Sequence, residues 1–325
     1  MLRFLTGRLI QAILVLMTMS VLIQGLITLM PGDPIDLMIT TDPRITSEQI
    51  DALRKAYGLD QSFWQRYGNW LYTVLSGDLG YSRLYAMSVS DILASRLINT
   101  AMLLGLGLVF SLLIAFPIGI AAAQRPHSSF DTTINMLCFA GISIPPFWLA
   151  LILIIVFAVT LGWLPAGGIA PIGPHYWWER LEYAILPLVT FIVVTVGVYI
   201  RYIRIAVRNT MHHDYIRTAR AKGLSEYTIV WNHALRNALI PVVTVIALDF
   251  GTLFSGTLII ETVFDWPGMG SLIYKAIQGN DYPIAMVSLL IVTAMTLTCN
   301  YMADIVYALI DPRIRINRYD MQDHS

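Results

Sequence analysis

Long apolar runs dominate this chain of 325 residues and restrict its fold more than any other feature. A helix that crosses a bilayer needs about 20 mostly apolar residues. Six stretches meet that length, at roughly 9–30, 99–123, 133–162, 184–207, 238–260 and 284–310. Only 13% of the residues are charged, against about 25% in soluble domains. The sequence therefore predicts an all-α membrane protein with six transmembrane helices.

The remaining residues divide the chain into four regions. We expect an N-terminal tail with the first span (1–30), an external segment (31–98), a five-helix core (99–310) and a C-terminal tail (311–325). The external segment predicts a helix capped by Thr46 or Ser47 and ended by Gly58, then helical spacing of aromatic residues over 63–75. It is predicted to be mostly helical and to pack on the outer helix ends.

Charged residues are distributed unevenly between the two sides of these spans. With the N-terminus inside, the inner segments hold 13 Lys and Arg against 6 acids, and the outer segments hold 8 against 13. Lys and Arg accumulate in cytoplasmic loops. This predicts that both termini lie in the cytoplasm.

The inner basic loop (208–237) separates the fourth and fifth spans. Asp214 can cap a helix over Tyr215–Lys222, and Gly223 can end that helix in the left-handed conformation. Ser225 can then cap a second short helix with Glu226 in its first turn. A solvated loop made basic by the charge rule is one interpretation. The helix, glycine, helix order favours the other, a docking element.

Side chains in the first helix of this loop suit contact with another protein. Ala219 and Ala221 are small enough to allow close approach of a second surface. Arg217, Arg220 and Lys222 supply positive charge.

These residues resemble a known family. Arg217–Gly223, followed by His233–Leu239 and Pro241, is similar to the coupling loop of binding-protein-dependent ABC importer permeases. The closest resemblance is to the first permease subunit of dipeptide and oligopeptide importers. Further motifs of that subfamily are Pro31–Pro34, Gly77–Ser82, Glu261–Phe264, Pro267–Gly270 and Asp311–Arg313. Arg217 and Arg236 depart from the broad importer signature and narrow the match to the peptide type.

The resemblance implies a type I ABC importer permease in the bacterial cytoplasmic (inner) membrane. Such a chain forms half of a pathway with a second, homologous permease subunit. An extracytoplasmic binding protein delivers the solute, and two ATPase subunits or domains bind ATP and Mg. The residues expected to contact an ATPase are Asp214, Tyr215, Arg217, Thr218, Ala219, Arg220, Ala221, Lys222 and Gly223.

This sequence contains no phosphate-binding loop of the Gly-x-x-x-x-Gly-Lys-Ser/Thr type, so the ATPase is expected on another polypeptide. The chain itself is expected to bind no cofactor and to be no enzyme. Di- or oligopeptides are the expected cargo. Nickel chelates, glutathione and opine-like solutes are alternatives for the same machinery.

Polar residues and prolines within the spans are candidates for the pathway. Asp249 and Asp304 carry charges that are costly inside a membrane, and they serve either a pathway or a structural contact. Pro145 and Pro146 are predicted to kink the third span. Arg201 and Arg204 are expected to snorkel to the inner headgroups or shape an inner gate.

The outer turn after the fifth span is a candidate docking site for the binding protein. Its residues are Asp265, Pro267, Gly268 and Gly270. A turn that only packs against the spans is an equal alternative.

Two other protein classes compete with the importer interpretation. A secondary transporter or channel would have similar spans but would need neither a docking loop nor ATP. An intramembrane enzyme is disfavoured because its protease or zinc motifs are missing. The histidines lack ligand spacing and the two cysteines lie in apolar runs, so we expect no metal site. Membrane lipid is an expected partner and nucleic acid is not.

Overall fold

A computed structural model describes residues 2–29, 47–56, 58, 60–170 and 178–310. Within the helices, the side chains of 2–5, 47, 48, 51, 53, 56, 247–256, 304 and 306–310 are also left out. The chain forms two compact units, one of residues 1–100 and 267–297 and one of residues 101–266 and 298–325.

The first unit is built from four helices, a small hairpin and the starts of two further helices. In chain order these are α1 (Leu2–Leu29), α2 (Ser47–Ala56), α3 (Phe63–Leu75), β1 (Tyr81–Ser82), β2 (Met87–Ser88), the start of α4 (Val89–Gln124), α11 (Met269–Gln278) and the start of α12 (Tyr282–Ile310). Its core joins Ile27 of α1 to Leu93 of α4, Leu272 of α11 and Ile284 of α12.

A buried carboxylate fastens the hairpin of this unit. Asp281 is only 1% exposed, and it accepts hydrogen bonds from Ser82 Oγ at 2.7 Å and from the Leu84 backbone N–H at 2.8 Å. Gly80 has a φ of +89°, and a Cβ there would lie 3.3 Å from Pro283. Only glycine adopts this left-handed turn at no steric cost.

The second unit contains the elements around the inner basic loop. They are the rest of α4, α5 (Ser129–Ser143), α6 (Pro146–Leu153), α7 (Glu179–Met211), α8 (Asp214–Ala221), α9 (Glu226–Thr228), α10 (Leu235–Val263) and the end of α12. Stretches of π-helix follow α6 at Ile154–Thr160 and α9 at Ile229–Ala234. A core of α4, α5, α7 and α10 side chains includes Ala115, Cys138, Ile203 and Val242.

The prediction of an all-α membrane protein is confirmed. Among the described residues, five helices are long and apolar enough to cross a membrane. They are Thr6–Leu29, Val89–Gln124, Glu179–Met211, Glu226–Ile246 and Tyr282–Ala303. A sixth span is present if the bent pair Ser129–Ser143 and Pro146–Thr160 is counted as one.

The third predicted span, 133–162, is therefore broken rather than continuous. Its two helical pieces meet at 95°, a larger bend than the expected kink. Ile144 takes an extended conformation, with φ −76° and ψ 122°, because a residue before proline avoids the helical region. Pro145 and Pro146 also lack the backbone N–H groups that a continuous helix requires.

The external segment matches its helical prediction in part. α2 ends at Ala56 and Gly58 has a φ of +64°, as its sequence predicts. α3 covers the expected 63–75 stretch. The hairpin was not predicted. Thr46 and the side chain of Ser47, one of which was expected to cap α2, lie outside the described part of the chain.

Candidate coupling site

The helix predicted in the inner basic loop is present, one residue earlier than expected. α8 covers Asp214–Ala221, and His213 at its N-cap has extended angles of φ −71° and ψ 150°. Asp214 is thus not the cap. It lies in the first turn, where the helix dipole favours a carboxylate.

Gly223 ends α8 in the predicted way. Its φ is +77°. The Gly223 N–H donates to the Arg220 carbonyl at 2.9 Å, and the Leu224 N–H donates to the Ala219 carbonyl at 3.4 Å. These two bonds form a Schellman motif, the common way for a helix to end at a left-handed glycine. A Cβ built on Gly223 meets no heavy atom within 4 Å among the described residues, so its backbone conformation alone selects glycine.

An ion pair closes the turn that Gly223 makes. Arg220 Nε lies 2.7 Å from Glu226 Oε1, and Arg220 Nη2 lies 3.2 Å from Glu226 Oε2. This bidentate hydrogen bonding raises the pKa of Arg220. Ser225 caps the next helix by accepting from the Thr228 N–H at 3.3 Å, as predicted. The ends of α8 and α9 are therefore held by side chains as well as by backbone.

The second helix of the loop is not a short separate element. α9 continues through the π-helical stretch into α10, so the chain from Glu226 to Val263 is helical throughout. Pro241 lies inside α10. Motion of the loop can therefore pass directly into the fifth span.

Apolar side chains join α8 to the rest of its unit. Ile216 and Ile229 are fully buried, and with Ala219 and Ala234 they form a small core that Met211 also contacts. Ala219 is 6% exposed, which corrects the expectation that it admits a second protein. A residue three positions after Ile216 lies on the same helix face, so Ala219 packs inward.

The outward face of α8 presents both charge and an aromatic ring. Arg217 Nη1 lies 3.6 Å from Asp214 Oδ1, and their side chains are 77% and 96% exposed. Tyr215 accepts a hydrogen bond from Asn237 of α10 at 2.8 Å. The exposed residues of the predicted site are Asp214, Tyr215, Arg217, Thr218, Arg220, Ala221, Lys222 and Gly223. The buried face of α8 packs on the small core, and these exposed residues are accessible to a partner.

A groove of about 410 Å³ opens beside this surface, between the inner ends of α7 and α10. Asn209 and His213 line it on one side, and Asn237, Pro241 and Val245 line it on the other. The groove is mostly apolar, with a few polar groups at the end nearest α8.

Arg201 and Arg204 each contact another side chain of the second unit. Arg204 binds Asp131 through two hydrogen bonds, and Arg201 lies 4.4 Å from the centre of the Phe139 ring. Arg204 is held by this ion pair, and a place for Arg201 and Arg204 at the inner headgroups or at an inner gate stays a prediction. Sequence reasoning missed Asp131, although it is the one acid in the inner segment 124–132.

The pathway candidates are described only in part. The side chains of Asp249 and Asp304 lie outside the described residues. Pro145 is exposed and Pro146 is half-buried, both at the break in the third span.

The outer turn is mostly buried. Gly268 and Gly270 are buried, Pro267 is half-buried and Asp265 is exposed with a φ of +47°. This burial favours the packing interpretation for the two glycines.

Comparison with known proteins decides between the transporter classes. The family described as binding-protein-dependent transport system inner membrane component matches residues 115–316, which is more than half of the chain. The chain belongs to this family. A companion N-terminal family of the same transport systems matches residues 1–104 of the permease. This match supports the type I ABC importer permease fold and integral inner-membrane location.

Named relatives cover nearly the whole permease. A putative peptide permease of Brucella suis is 38% identical over 97% of this chain and 100% of the relative. The oligopeptide transport system permease protein AppB of Bacillus subtilis is 35% identical over 96% of this chain and 98% of its own. The glutathione transport system permease protein GsiC of Escherichia coli is 35% identical over 97% of this chain and 99% of its own. These relatives support the peptide subfamily of ABC importer permeases.

Proposed function

We propose that this permease forms half of the pathway of an ATP-driven peptide importer and is powered through its inner basic loop by a separate ATPase. The observation that carries the proposal is the structure of α8. It is a short helix fixed by a Schellman turn, an ion pair and a buried base, with eight of its nine predicted contact residues exposed. A rigid, exposed helix can transmit the displacement of a bound partner.

The continuity of the chain supports this coupling. Two residues, His212 and His213, separate α8 from α7, and α9 continues into α10. Both neighbouring spans are therefore connected to the docking surface without a flexible linker. ATP and Mg would bind to the ATPase subunits, and the permease would convert their closure into movement of its spans.

The orientation follows from this assignment. An ATPase partner places α8 in the cytoplasm, in agreement with the excess of Lys and Arg in the inner segments. The N- and C-termini then lie on the cytoplasmic side. The binding protein would dock on the outer side, where Asp265 is an exposed candidate contact.

Peptides are the proposed cargo, because relatives of the peptide and oligopeptide type match across almost the full length. The glutathione relative is also a peptide transporter in chemical terms, since glutathione is a tripeptide. A second homologous permease would complete the pathway, and Asp249 and Asp304 are proposed to lie along it or at the subunit contact.

Reconstituted transport tests the proposal. The importer is purified with its partners through a tag on this chain and placed in liposomes with its binding protein. We expect uptake of a peptide to require ATP, to stop with orthovanadate and to survive collapse of ion gradients by ionophores. Uptake that follows the ion gradient and ignores ATP would indicate a secondary transporter instead. Mass spectrometry of the ligand carried by the binding protein identifies the cargo.

A further inference from the structure

Three arginines on the inner half of α7 face α5 and the connection that precedes it. Arg201, Arg204 and Arg208 are spaced three and four residues apart and share one helix face. Their partners run in the opposite direction along the chain, at Phe139, Asp131 and His127. The two antiparallel segments therefore meet through one ion pair, one cation–π contact and one hydrogen bond to a histidine ring, as well as by apolar packing.

The central pair is almost fully enclosed. Arg204 Nε lies 2.5 Å from Asp131 Oδ1 and Nη2 lies 2.7 Å from Oδ2, and the two side chains are 15% and 4% exposed. Asp131 also accepts from the His127 backbone N–H at 3.1 Å and from Asn135 Nδ2 at 3.0 Å. Such a carboxylate has all its acceptor positions engaged, and it fixes both the start of α5 and the face of α7.

Beyond the ion pair, α5 and α7 also approach each other closely through their backbones. A Cβ on Gly197 of α7 would lie 2.9 Å from the Cys138 carbonyl oxygen, and a Cβ on Gly141 of α5 would lie 3.0 Å from the Val193 carbonyl oxygen. The contacts extend from His127 to Gly141, which spans all but the last two residues of α5. A buried ion pair contributes little net stability compared with apolar packing. Its role here is better explained by specificity, because it selects one alignment of α5 against α7.

The contacts between α5 and α7 are continuous with α8 at one end and with the broken third span at the other. Met211 at the end of α7 packs on the core beneath α8. At its other end α5 stops at Ser143, immediately before the break at Pro145 and Pro146. Contacts thus connect α8 to α7 and α7 to α5, and α5 ends at the break where the third span bends by 95°.

We propose that Asp131 and Arg204 are positioning residues that join α5 to α7, so that a displacement of the inner basic loop moves both helices together and acts at the Pro145–Pro146 break. This rests on the proposed docking of an ATPase on the loop. On this proposal the angle between α5 and α6 changes at the break when the inner basic loop is displaced.

Transport per ATP tests this role in the intact importer. Arg204→Met removes the charge and keeps much of the length, whereas Arg204→Lys keeps a charge but not the two parallel hydrogen bonds. We expect Arg204→Met to lower the peptide imported per ATP hydrolysed on the order of tenfold, while ATP hydrolysis continues. Arg204→Lys should recover part of that loss. Arg125→Met, in the exposed connection, is the matched control and should keep the wild-type ratio. A wild-type ratio in Arg204→Met would overturn the proposal.

Distance measurements test the rigid pairing while Asp131 and Arg204 are both unchanged. In a Cys138→Ala, Cys299→Ala background, spin labels are placed at two exposed positions, Met136 on α5 and His212 after α7. The distance between them should be the same in the nucleotide-free and nucleotide-trapped importer. A second pair across the break, Met136 and the exposed Val159, should change its distance.

A change in the Met136–His212 distance as large as that across the break would overturn the proposal, even where Arg204→Met fails to assemble. Failure of the proposed ATPase docking gives a different result. If the ATPase does not dock on the inner basic loop, a permease whose loop is disrupted retains the ATPase normally. The Met136–His212 distance is then still the same in the nucleotide-free and nucleotide-trapped importer.

Discussion

Replacing Gly223 isolates the backbone geometry of the coupling site from its contacts. The residue has a φ of +77°, and a Cβ there meets no atom within 4 Å among the described residues. A substitution therefore adds conformational strain without a clash. The left-handed conformation costs an ordinary residue about 1–2 kcal/mol. Asn tolerates it best, Ala pays close to 1 kcal/mol, and a β-branched Val pays about 2 kcal/mol or more.

The ion pair beside Gly223 is too weak to absorb the larger cost. The Arg220–Glu226 pair has side chains 43% and 63% exposed, and exposed pairs contribute about 0–1 kcal/mol. A strain of about 2 kcal/mol lowers the equilibrium constant for the docking geometry roughly thirtyfold. We expect ATPase retention to fall in the order Gly, Asn, Ala, Val.

Co-purification measures this series directly. The amount of ATPase retained per permease is compared for Gly223→Asn, Gly223→Ala and Gly223→Val at equal membrane insertion, followed by ATP-dependent uptake. Gly77→Val is the matched control. Gly77 also has a positive φ, of +89°, and a Cβ there meets no heavy atom within 4 Å among the described residues. Unlike Gly223, it lies in the external segment. Equal ATPase retention by Gly223→Val and wild type would refute the reasoning.

Three further substitutions test the packing around the site and in the external segment. Ile216→Ala should cost about 2–5 kcal/mol locally and release the ATPase, because Ile216 is fully buried beneath α8; unchanged ATPase retention would contradict this. Asp281→Asn should cost about 1–3 kcal/mol because it weakens a buried acceptor, and a melting curve should show a larger loss than for Asp78→Asn. Gly197→Ala should lower the melting temperature because its Cβ would meet a backbone oxygen at 2.9 Å, whereas Gly105→Ala meets nothing within 4 Å among the described residues; equal melting temperatures would contradict the close approach of α5 and α7.

Much of this fold could be predicted because the membrane imposes one dominant constraint. Each long apolar run had to become helical, in one piece or, for the third run, in two, since backbone groups inside a bilayer need internal partners. Gly223 and Ser225 were predictable for a local reason, because their turn and cap chemistry depends on a few neighbouring residues. Both appear at the expected positions.

The features that were missed depend on contacts between distant parts of the chain. Ala219 was expected to admit a partner, but its direction follows from the packing of Ile229 and Ala234 beneath it. Arg204 was expected at the headgroups or at an inner gate, and nothing local in the sequence identifies Asp131, 73 positions away, as its partner. The hairpin has two-residue strands held by Asp281, and such short strands leave no clear alternation in the sequence.

Cross-linking at single positions tests the central claim, that an ATPase docks on α8. A photoactivatable residue is placed at Ala221, which is exposed on α8, and in a second variant at Tyr72, which is 76% exposed in the external segment. We expect illumination of the assembled importer to join position 221 to the ATPase and position 72 not to. An ATPase adduct from position 72, or its absence from position 221, would contradict the account.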